Sequence, residues 1–389
     1  MKRSYTILVA FGSLLWLALG LQWFRGIRNI PLLRKAASTR NLGRYPSLSV
    51  VVPARNEERS IRESVETMLA QSYPGELEVI VIDDRSTDGT AKILQTLQSP
   101  HPDRLRILRV HELPEGWLGK NHALYFGTER SRGEWLLFTD ADVRFSPVCF
   151  EYAMNYASSN GLHHLTLPPA IISRGALLRA FVAAFSLIFM MTQRPWRAPD
   201  PLARESVGVG AFNLVRRDVY EEIGTHRAIA MRPDDDMRLA KLVKKYGFRQ
   251  GVAYGNGLVS VEWHESLKEA IRGLGKSMFP GMDYRVDAAI LASALLLLTN
   301  VFPFFGAVFS RGPARLLSTT SVLLTFAIYA SHGRHTGTRT PLWYAALHPF
   351  SVCVFVYAML RSVLTTLANG GIECRGTYYP LERLKRNTL

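Results

Sequence analysis

Cysteine is scarce in this 389-residue sequence, which contains three. Cys149, Cys353 and Cys374 are odd in number and lie far apart, so they predict neither a disulfide framework nor a cluster of metal ligands. Reduced cysteines are typical of the cytosolic side of a membrane. The scarcity therefore argues against a disulfide-stabilised secreted fold and favours a catalytic domain that faces the cytosol.

Acidic residues are also in the minority, with 32 Asp and Glu against 47 Lys and Arg, a net charge of +15. Such an excess of positive charge is typical of proteins that bind nucleic acid, an anionic membrane surface or a phosphorylated substrate. The chain lacks a basic stripe with interleaved aromatic residues, so nucleic acid is not predicted as a partner. Because 48% of the residues are hydrophobic and apolar segments occur near both ends, a membrane is the predicted partner.

Several apolar segments predict a multi-pass protein of the cell (inner) membrane. Tyr5 to Phe24 carries no charge and is long enough to cross a bilayer, and the denser basic residues after it place the next domain in the cytoplasm. A cleaved signal peptide is the alternative, although no small-x-small cleavage site follows. Two or three further spans are predicted in the C-terminal third, and their number and topology stay open.

One apolar stretch, Ala176 to Met191, lies outside these terminal regions and is interrupted only by Arg179. It is shorter than a comfortable membrane span. We therefore expect an interfacial helix that brings the active site to the bilayer, with a buried core helix as the alternative.

The region between the predicted spans has the pattern of an α/β domain. Short β-branched runs such as Leu48 to Val52 and Leu77 to Ile82 alternate with amphipathic stretches. This alternation predicts a mostly parallel sheet with helices on both faces and ligands beyond the carboxyl ends of its strands. The predicted domains are an anchor with a basic linker at residues 1–45 and a catalytic domain at 46–285. C-terminal transmembrane helices follow at 286–370, and a basic tail that includes Arg386 follows at 371–389.

The first strand lacks the Gly-x-Gly-x-x-Gly sequence of dinucleotide-binding dehydrogenases and is followed by Pro-Ala-Arg-Asn-Glu at 53–57. A dehydrogenase is therefore not predicted. At this strand end, Pro53, Arg55 and Glu57 are expected to wall the base of a nucleotide. Asp83 or Asp84, at the end of the next strand, is expected to accept hydrogen bonds from a uracil or ribose, although Asp83 as a turn residue is the alternative.

Two aspartates, Asp140 and Asp142, follow the apolar strand Trp135 to Phe138 directly. Strand alternation predicts that both carboxylates point to the same side. Hard oxygen ligands suit Mg²⁺ or Mn²⁺, which would bridge to a diphosphate and neutralise the charge of the leaving group. The alternative is a loop that carries two aspartates by chance, because the motif is short.

In this order, the motifs resemble the family 2 glycosyltransferases, which are inverting enzymes with the nucleotide-sugar fold called GT-A. The resemblance covers residues 47–285 and includes Asp-Asp-x-Ser-x-Asp-Gly-Thr at 83–90. It implies that the fold is α/β. The central domain would be a Rossmann-like GT-A domain that binds a nucleotide-sugar, with transmembrane helices on both sides of it in the chain. The resemblance also implies that Asp140 contributes to donor binding.

The acidic block at 234–236 matches the family pattern Glu-Asp-x-x-Leu-Ala when Leu239 and Ala240 are aligned with its last two positions. This alignment places the catalytic base at Asp236, with Asp235 beside it. An inverting transfer needs one base to take the proton of the acceptor hydroxyl, and neighbouring acidic groups raise a carboxyl pKa toward that role. The alternative is a helix N-terminus at which aspartates favour the helix dipole.

Gly-Trp-Leu-Gly-Lys at 116–120 is similar to a loop of family members associated with carotenoid, hopanoid and related lipid glycosylation. The likeness implies that Lys120 reaches the diphosphate, whereas in the alternative Asn121 caps a helix and Trp117 packs in the interior. Gly-Val-Gly at 208–210 resembles the glycine-rich segment on the acceptor side, where missing side chains let substrate approach the backbone.

The family motif Gln-x-x-Arg-Trp does not occur in the sequence, which disfavours polymer synthesis and leaves open whether Arg272 or Lys276 replaces it. The predicted function is transfer of a sugar from a nucleotide-sugar, expected to be a UDP-sugar, to a membrane-associated lipid or polyisoprenoid acceptor. A non-catalytic membrane scaffold or nucleotide-sugar-binding protein that keeps the fold is the alternative. The sequence does not identify the sugar, the acceptor or the oligomeric state.

Overall fold

The computed structural model describes residues 2–37, 42–336 and 340–385, without the side chains of residues 2–4, 335 and 336. The predicted tail residue Arg386 lies outside this described part. The chain divides into two compact units. We call them the sheet unit, Ile30–Ile172 with Pro195–Glu262, and the helical unit, which comprises the chain up to Asn29, Ser173–Arg194 and Trp263–Lys385.

The strands of the described residues, in chain order, are β1 (Leu48–Ala54), β2 (Leu77–Asp84), β3 (Leu105–Val110), β4 (Trp135–Phe138), β5 (Val143–Phe145), β6 (His164–Thr166), β7 (Ala170–Ile172), β8 (Asn213–Arg216), β9 (Gln250–Val252), β10 (Val259–Glu262), β11 (Gly371–Cys374) and β12 (Thr377–Pro380).

The α-helices of the described residues are α1 (Lys2–Gly26), α2 (Leu33–Ala37), α3 (Ile61–Leu69), α4 (Thr90–Gln98), α5 (Gly119–Thr128), α6 (Cys149–Ser159), α7 (Ala176–Gln193), α8 (Arg217–Glu222), α9 (Asp235–Lys245), α10 (Leu267–Leu274), α11 (Met278–Gly281), α12 (Val286–Asn300), α13 (Phe302–Phe309), α14 (Gly312–Thr336), α15 (His348–Ala368) and α16 (Leu381–Lys385).

A seven-stranded sheet in the order β3-β2-β1-β4-β8-β6-β9 forms the centre of the sheet unit. The first four strands in this order run parallel, whereas β8 runs antiparallel to both β4 and β6. The register aligns Ala54 with Asp83, so the loop after β1 begins beside the end of β2. The predicted mostly parallel α/β fold is confirmed, with β8 as an antiparallel insertion.

Side-chain alternation explains why both faces of this sheet are covered. Along β1, Val50 and Val52 join an apolar cluster with residues of α3 and α6, and Val51 joins a second cluster with residues of α5 and α9. All three valines are completely buried, as a strand between two helical layers requires. These two cores hold the carboxyl edge of the sheet in place.

The helical unit contains α15 packed against α7 and α12, and α14 packed against α1 and α13. Five segments of the described residues are long and apolar enough to cross a membrane: Tyr5–Asn29, Ala176–Arg197, Val286–Phe309, Gly312–Arg334 and His348–Ala368. The expectation that the second segment is too short for a span was wrong on length, because it continues beyond Met191 to Arg197.

The predicted catalytic domain at 46–285 does not coincide with one unit, because parts of it belong to the helical unit. Ser173–Arg194 and the residues from Trp263 onward belong to the helical unit, which includes Arg272 and Lys276. The apolar composition of α7 explains its membership, since its buried residue Ile188 packs with Val352 and Val356 of α15.

Candidate active site

The two metal-motif aspartates lie in the turn between β4 and β5. This differs from the expectation that strand alternation aligns them, because the strand ends at Phe138. The turn is fixed at its start, where the Asp140 N–H donates to the carbonyl of Gly210 at 3.1 Å and the Thr139 hydroxyl donates to that of Ala211 at 2.8 Å. The side chain of Asp140 is 40% exposed.

Gly210 also contacts the acidic block. Its N–H donates to Oδ2 of Asp236 at 2.7 Å, while Oδ1 of that carboxylate accepts the N–H of Met237 at 2.7 Å. One glycine therefore bonds to the predicted metal ligand Asp140 through its carbonyl and to the predicted base through its N–H. The structure brings these two candidate residues together from the turn after β4 and from the first turn of α9.

The glycine-rich segment is packed too closely for side chains. A Cβ on Gly210 would lie 2.6 Å from Oδ2 of Asp140, and a Cβ on Gly208 would lie 2.0 Å from the carbonyl oxygen of Asp236. We expected the glycines to let a substrate approach the backbone. In the structure the space beside them is used by the protein's own acidic residues.

Lys120 connects the two acidic motifs. Its Nζ lies 3.0 Å from Oδ1 of Asp140 and 3.2 Å from Oδ1 of Asp235. Although burial acts to lower it, the pKa of Lys120 is raised by these carboxylates. Burial raises the pKa of Asp235 to about 7 against the opposing effect of the lysine, and burial likewise raises the pKa of Asp236.

Asp234, the first residue of the acidic block, has a different environment. Its carboxylate accepts from Nε of Arg232 at 2.9 Å and from Nε of Arg238 at 2.8 Å. Both arginines are buried, and sequence reasoning missed them, although the spacing of Arg238 four residues after Asp234 is a helical ion-pair signal. The two arginines hold Asp234 as an ion-paired residue, so Asp235 and Asp236 remain as the candidates for proton transfer.

The predicted nucleoside-side residues form a second group at the ends of β1 and β2. Asp84 accepts from Nε of Arg85 at 2.8 Å, and its other oxygen is 3.8 Å from Nη1 of Arg55. Asp83 accepts the Ser86 N–H at 3.1 Å, in the manner of a turn residue. Pro53 lies within β1.

The Glu57 N–H donates to the Thr90 hydroxyl at 2.8 Å, which joins the loop after β1 to the start of α4. Gly119 links this second group to Lys120, because a Cβ there would lie 2.5 Å from Oδ2 of Asp84. The predicted donor residues therefore occupy one edge of the sheet.

A buried chain of polar side chains lies behind Asp236 and had no signal in the sequence. Gln250 donates from Nε2 to Nδ1 of His164 at 2.9 Å, and Nε2 of the histidine bonds to Oδ1 of Asn213. Asn213 donates from Nδ2 to the carbonyl of Asp236 at 3.4 Å. Burial lowers the pKa of His164 to about 4, so the imidazole is neutral near pH 7 and fits this order of donors and acceptors.

The residues fit a metal that arrives with a nucleotide. Within the described ranges, no three His, Cys, Asp or Glu side chains are grouped so that they could hold a metal ion. A Mg²⁺ or Mn²⁺ ion in a phosphate site needs only one or two protein carboxylates, because phosphates and waters supply the other ligands. The partly exposed Asp140, with Asp142 in the same turn, meets that requirement.

Comparison with known proteins identifies a domain that includes most of the sheet unit and the segment Ser173–Arg194. Residues 49–224 match the family model described as Glycosyl transferase family 2. These residues form a family 2 glycosyl transferase domain. The predicted family resemblance is thereby confirmed, although the acidic block at 234–236 lies beyond the residues that the glycosyl transferase model matches.

Proteins with similar sequences align over most of the chain. The 4,4'-diaponeurosporenoate glycosyltransferases of Staphylococcus aureus strains bovine RF122 / ET3-1 and USA300 are both 23% identical over 345 residues, 87% of this chain and 90% of theirs. The mannosyltransferase PcManGT from Pyrobaculum calidifontis, solved in complex with GDP-Man and Mn²⁺, is 18% identical with a TM-score of 0.55. The alignment covers 89% of this chain and 99% of that one, and the likeness shows the GT-A fold.

Proposed function

We propose that this protein transfers a sugar, with inversion, from a nucleotide-sugar to a membrane-associated, lipid-like acceptor, using Mg²⁺ or Mn²⁺. The observation that carries the proposal is the pair of bonds made by Gly210, which join Asp236 to Asp140 inside a family 2 glycosyl transferase fold. A displacement at the anomeric carbon requires a base held close to a diphosphate site.

Asp140 and Asp142 would hold the metal, which when bound neutralises negative charge on the departing diphosphate. Lys120 keeps a positive charge at the same point, 3.0 Å from Asp140. A fixed cation next to developing negative charge stabilises the transition state without reorganisation. The nucleoside would lie against Pro53, Arg55, Glu57, Asp83 and Asp84, the residues at the ends of β1 and β2.

Asp236 acts as the base in this proposal. Its carboxylate removes the proton of the acceptor hydroxyl while the hydroxyl oxygen bonds to the anomeric carbon and the bond from that carbon to the diphosphate breaks. Each carboxylate oxygen has about two lone-pair positions, and each accepts one backbone N–H, so one position per oxygen stays available. Burial raises the pKa of Asp236 in the direction that this role needs.

The nature of the substrates is supported by the relatives and by the apolar helices. PcManGT was solved with GDP-Man, and the Staphylococcus aureus relatives are named 4,4'-diaponeurosporenoate glycosyltransferases. We infer a nucleoside diphosphate sugar as donor, with a UDP-sugar as the first choice. Of the described segments of span length, the four other than Ala176–Arg197 support an apolar acceptor and a multi-pass protein of the cell membrane with its sheet unit in the cytoplasm. Ala176–Arg197 lies in the chain between β6 and β8, which pair in one sheet and therefore share one side of a bilayer.

Calorimetric binding of UDP and GDP to the detergent-purified full chain, with and without Mn²⁺, tests the donor site. We expect Mn²⁺-dependent binding of one nucleotide, weakened by about ten-fold or more in Asp142→Asn because one of few protein ligands is lost. Asp103→Asn, which removes an exposed carboxylate in the turn before β3, is the matched control. Absence of binding to either nucleotide would contradict the proposal.

A further inference from the structure

Asn121 is a buried polar residue that the proposed mechanism does not use. It lies in the first turn of α5 and is 1% exposed. Its side-chain nitrogen donates hydrogen bonds to the carbonyl oxygens of Ile229 at 2.8 Å, Arg232 at 2.9 Å and Ala230 at 3.2 Å. A side chain on one helix therefore holds the backbone of a turn that lies more than 100 residues later in the chain.

This contact is specific to an amide. The alternative role of Asn121 as a helix cap was wrong, because the helix begins after Leu118 and the Asn121 amide bonds to another segment. An amide nitrogen carries two hydrogens, which the three carbonyls share. A carboxylate of the same shape would place its negative charge against three carbonyl oxygens, and alanine would remove the amide donor from all three. A backbone bond from Leu118 N–H to the Ala230 carbonyl, at 2.9 Å, joins the same two segments.

The turn that Asn121 holds leads directly into the acidic block. Arg232 is fully buried and pairs with Asp234 at 2.9 Å. The next residue, Asp235, has its carboxylate 3.2 Å from Nζ of Lys120, the neighbour of Asn121 on α5. The first turn of α5 therefore contacts both the carboxylate of Asp235 and the backbone that leads to it.

We propose that Asn121 is a positioning residue for sugar transfer, which sets the place of the acidic block relative to Lys120 and Asp140 by holding residues 229–232. The inference rests on the proposed function, in which Asp236 is the base. A misplacement of about 1 Å is enough to lower a rate about 10²-fold, because the reacting atoms must be nearly in contact. The residues proposed to bind the nucleoside lie at the ends of β1 and β2 and not in the turn at 229–232, so turnover should change while nucleotide affinity should not.

The test compares Asn121→Ala with Asn155→Ala in the full chain in detergent. Asn155 is also a buried asparagine of the sheet unit, but it lies on α6. Three quantities are measured with Mn²⁺ present. They are the Kd of UDP and GDP, the kcat of nucleotide release from UDP-glucose or GDP-mannose with a membrane lipid extract as acceptor, and hydrogen exchange of the amides at 229–236.

For Asn121→Ala we expect kcat to fall about 10- to 100-fold, with unchanged Kd and faster exchange at 229–236. Asn155→Ala should change none of the three. Unchanged kcat, unchanged exchange, or a rise in Kd that matches the loss of kcat would each overturn the positioning role. The last pattern would show a general structural defect.

The measurements distinguish two further outcomes from a failure of the positioning role. If the wild-type protein binds neither nucleotide, the proposed function fails, whereas exchange at 229–236 still reports whether Asn121 holds the turn. If Asn121→Ala does not fold, Asn121→Ser replaces it, because its hydroxyl retains a donor for one of the carbonyls. Its kcat should then lie between those of Asn155→Ala and an inactive protein, and a wild-type kcat would overturn the proposal.

Discussion

The carboxyl edge of the sheet and the interior of the helical unit stabilise their polar groups in different ways. At the carboxyl edge of the sheet the partners are charged, as where Lys120 is shared by Asp140 and Asp235. In the helical unit, interior pairs such as Trp16 with Thr325, at 3.1 Å, join uncharged side chains of different helices. In the same unit His348 bonds to the amide of Asn300 and the phenol of Tyr329, at 2.9 and 3.0 Å.

Charged pairs at the sheet edge indicate a reaction site, whereas neutral pairs between helices indicate packing. Removing a charge from water is costly even when the charge is paired, so a desolvated cluster of carboxylates and a lysine is expected where a reaction needs it. Neutral hydrogen bonds between apolar helices cost less and contribute modestly to helix association. The concentration of charge at one edge of the sheet is therefore itself an indication of function.

The largest effect is expected from Asp236→Asn, which breaks the charged cluster at the proposed base. The amide keeps the shape of the carboxylate but cannot take a proton, and only one of its two polar atoms can accept a backbone N–H. We expect kcat for nucleotide release to fall about 10²- to 10⁴-fold while nucleotide binding persists. Asp103→Asn should behave as wild type, and normal turnover by Asp236→Asn would transfer the role of base to Asp235.

A smaller effect is expected from Gly210→Ala, which displaces the cluster without removing a charge. The new Cβ would lie 2.6 Å from Oδ2 of Asp140 and 3.4 Å from Nζ of Lys120. Both atoms end flexible side chains, so the side chains should yield and the fold should persist. We expect kcat to fall about 10- to 100-fold with little change in Tm.

Two other glycines make this test specific. In Gly208→Ala the new Cβ would lie 2.0 Å from the backbone oxygen of Asp236, which cannot move aside as a side chain can. We therefore expect the Tm of this variant to fall as well, because the site is overpacked. Gly255→Ala has its nearest atoms at 3.6 Å, an ordinary contact, and should leave both kcat and Tm unchanged. A large loss of Tm in Gly210→Ala would contradict the distinction between site and fold.

The smallest effect is expected in the helical unit, from His348→Phe. The ring shape is kept, but Asn300 and Tyr329 lose the nitrogens to which they bond. We expect the free energy of unfolding in detergent to fall by about 1 kcal/mol, a typical cost for a polar contact between membrane helices, with kcat unchanged. A loss of kcat as large as that of Gly210→Ala would show that neutral pairs of this unit also serve the reaction.

Local sequence patterns were sufficient for much of the fold and for part of the site. The β-branched runs at 48–52 and 77–82 predicted parallel strands between helices, and the structure confirms that arrangement. The direction of β8 was not predicted, because hydrophobic periodicity reports which face of a strand is buried and not which way the strand runs. Yet the antiparallel pairing of Asn213 with Phe138 places the glycine-rich segment beside Asp140.

By itself the sequence determined the family, the motif aspartates and the apolar segments, because each depends on residues close together in the chain. Only the tertiary structure decided that Gly210 bonds to both acidic motifs and that Asn121 holds the turn at 229–232. It likewise decided that Lys120 is shared by two carboxylates. These contacts join residues separated by 20 to more than 100 positions, and their geometry depends on how the strands and helices pack, which no local pattern records.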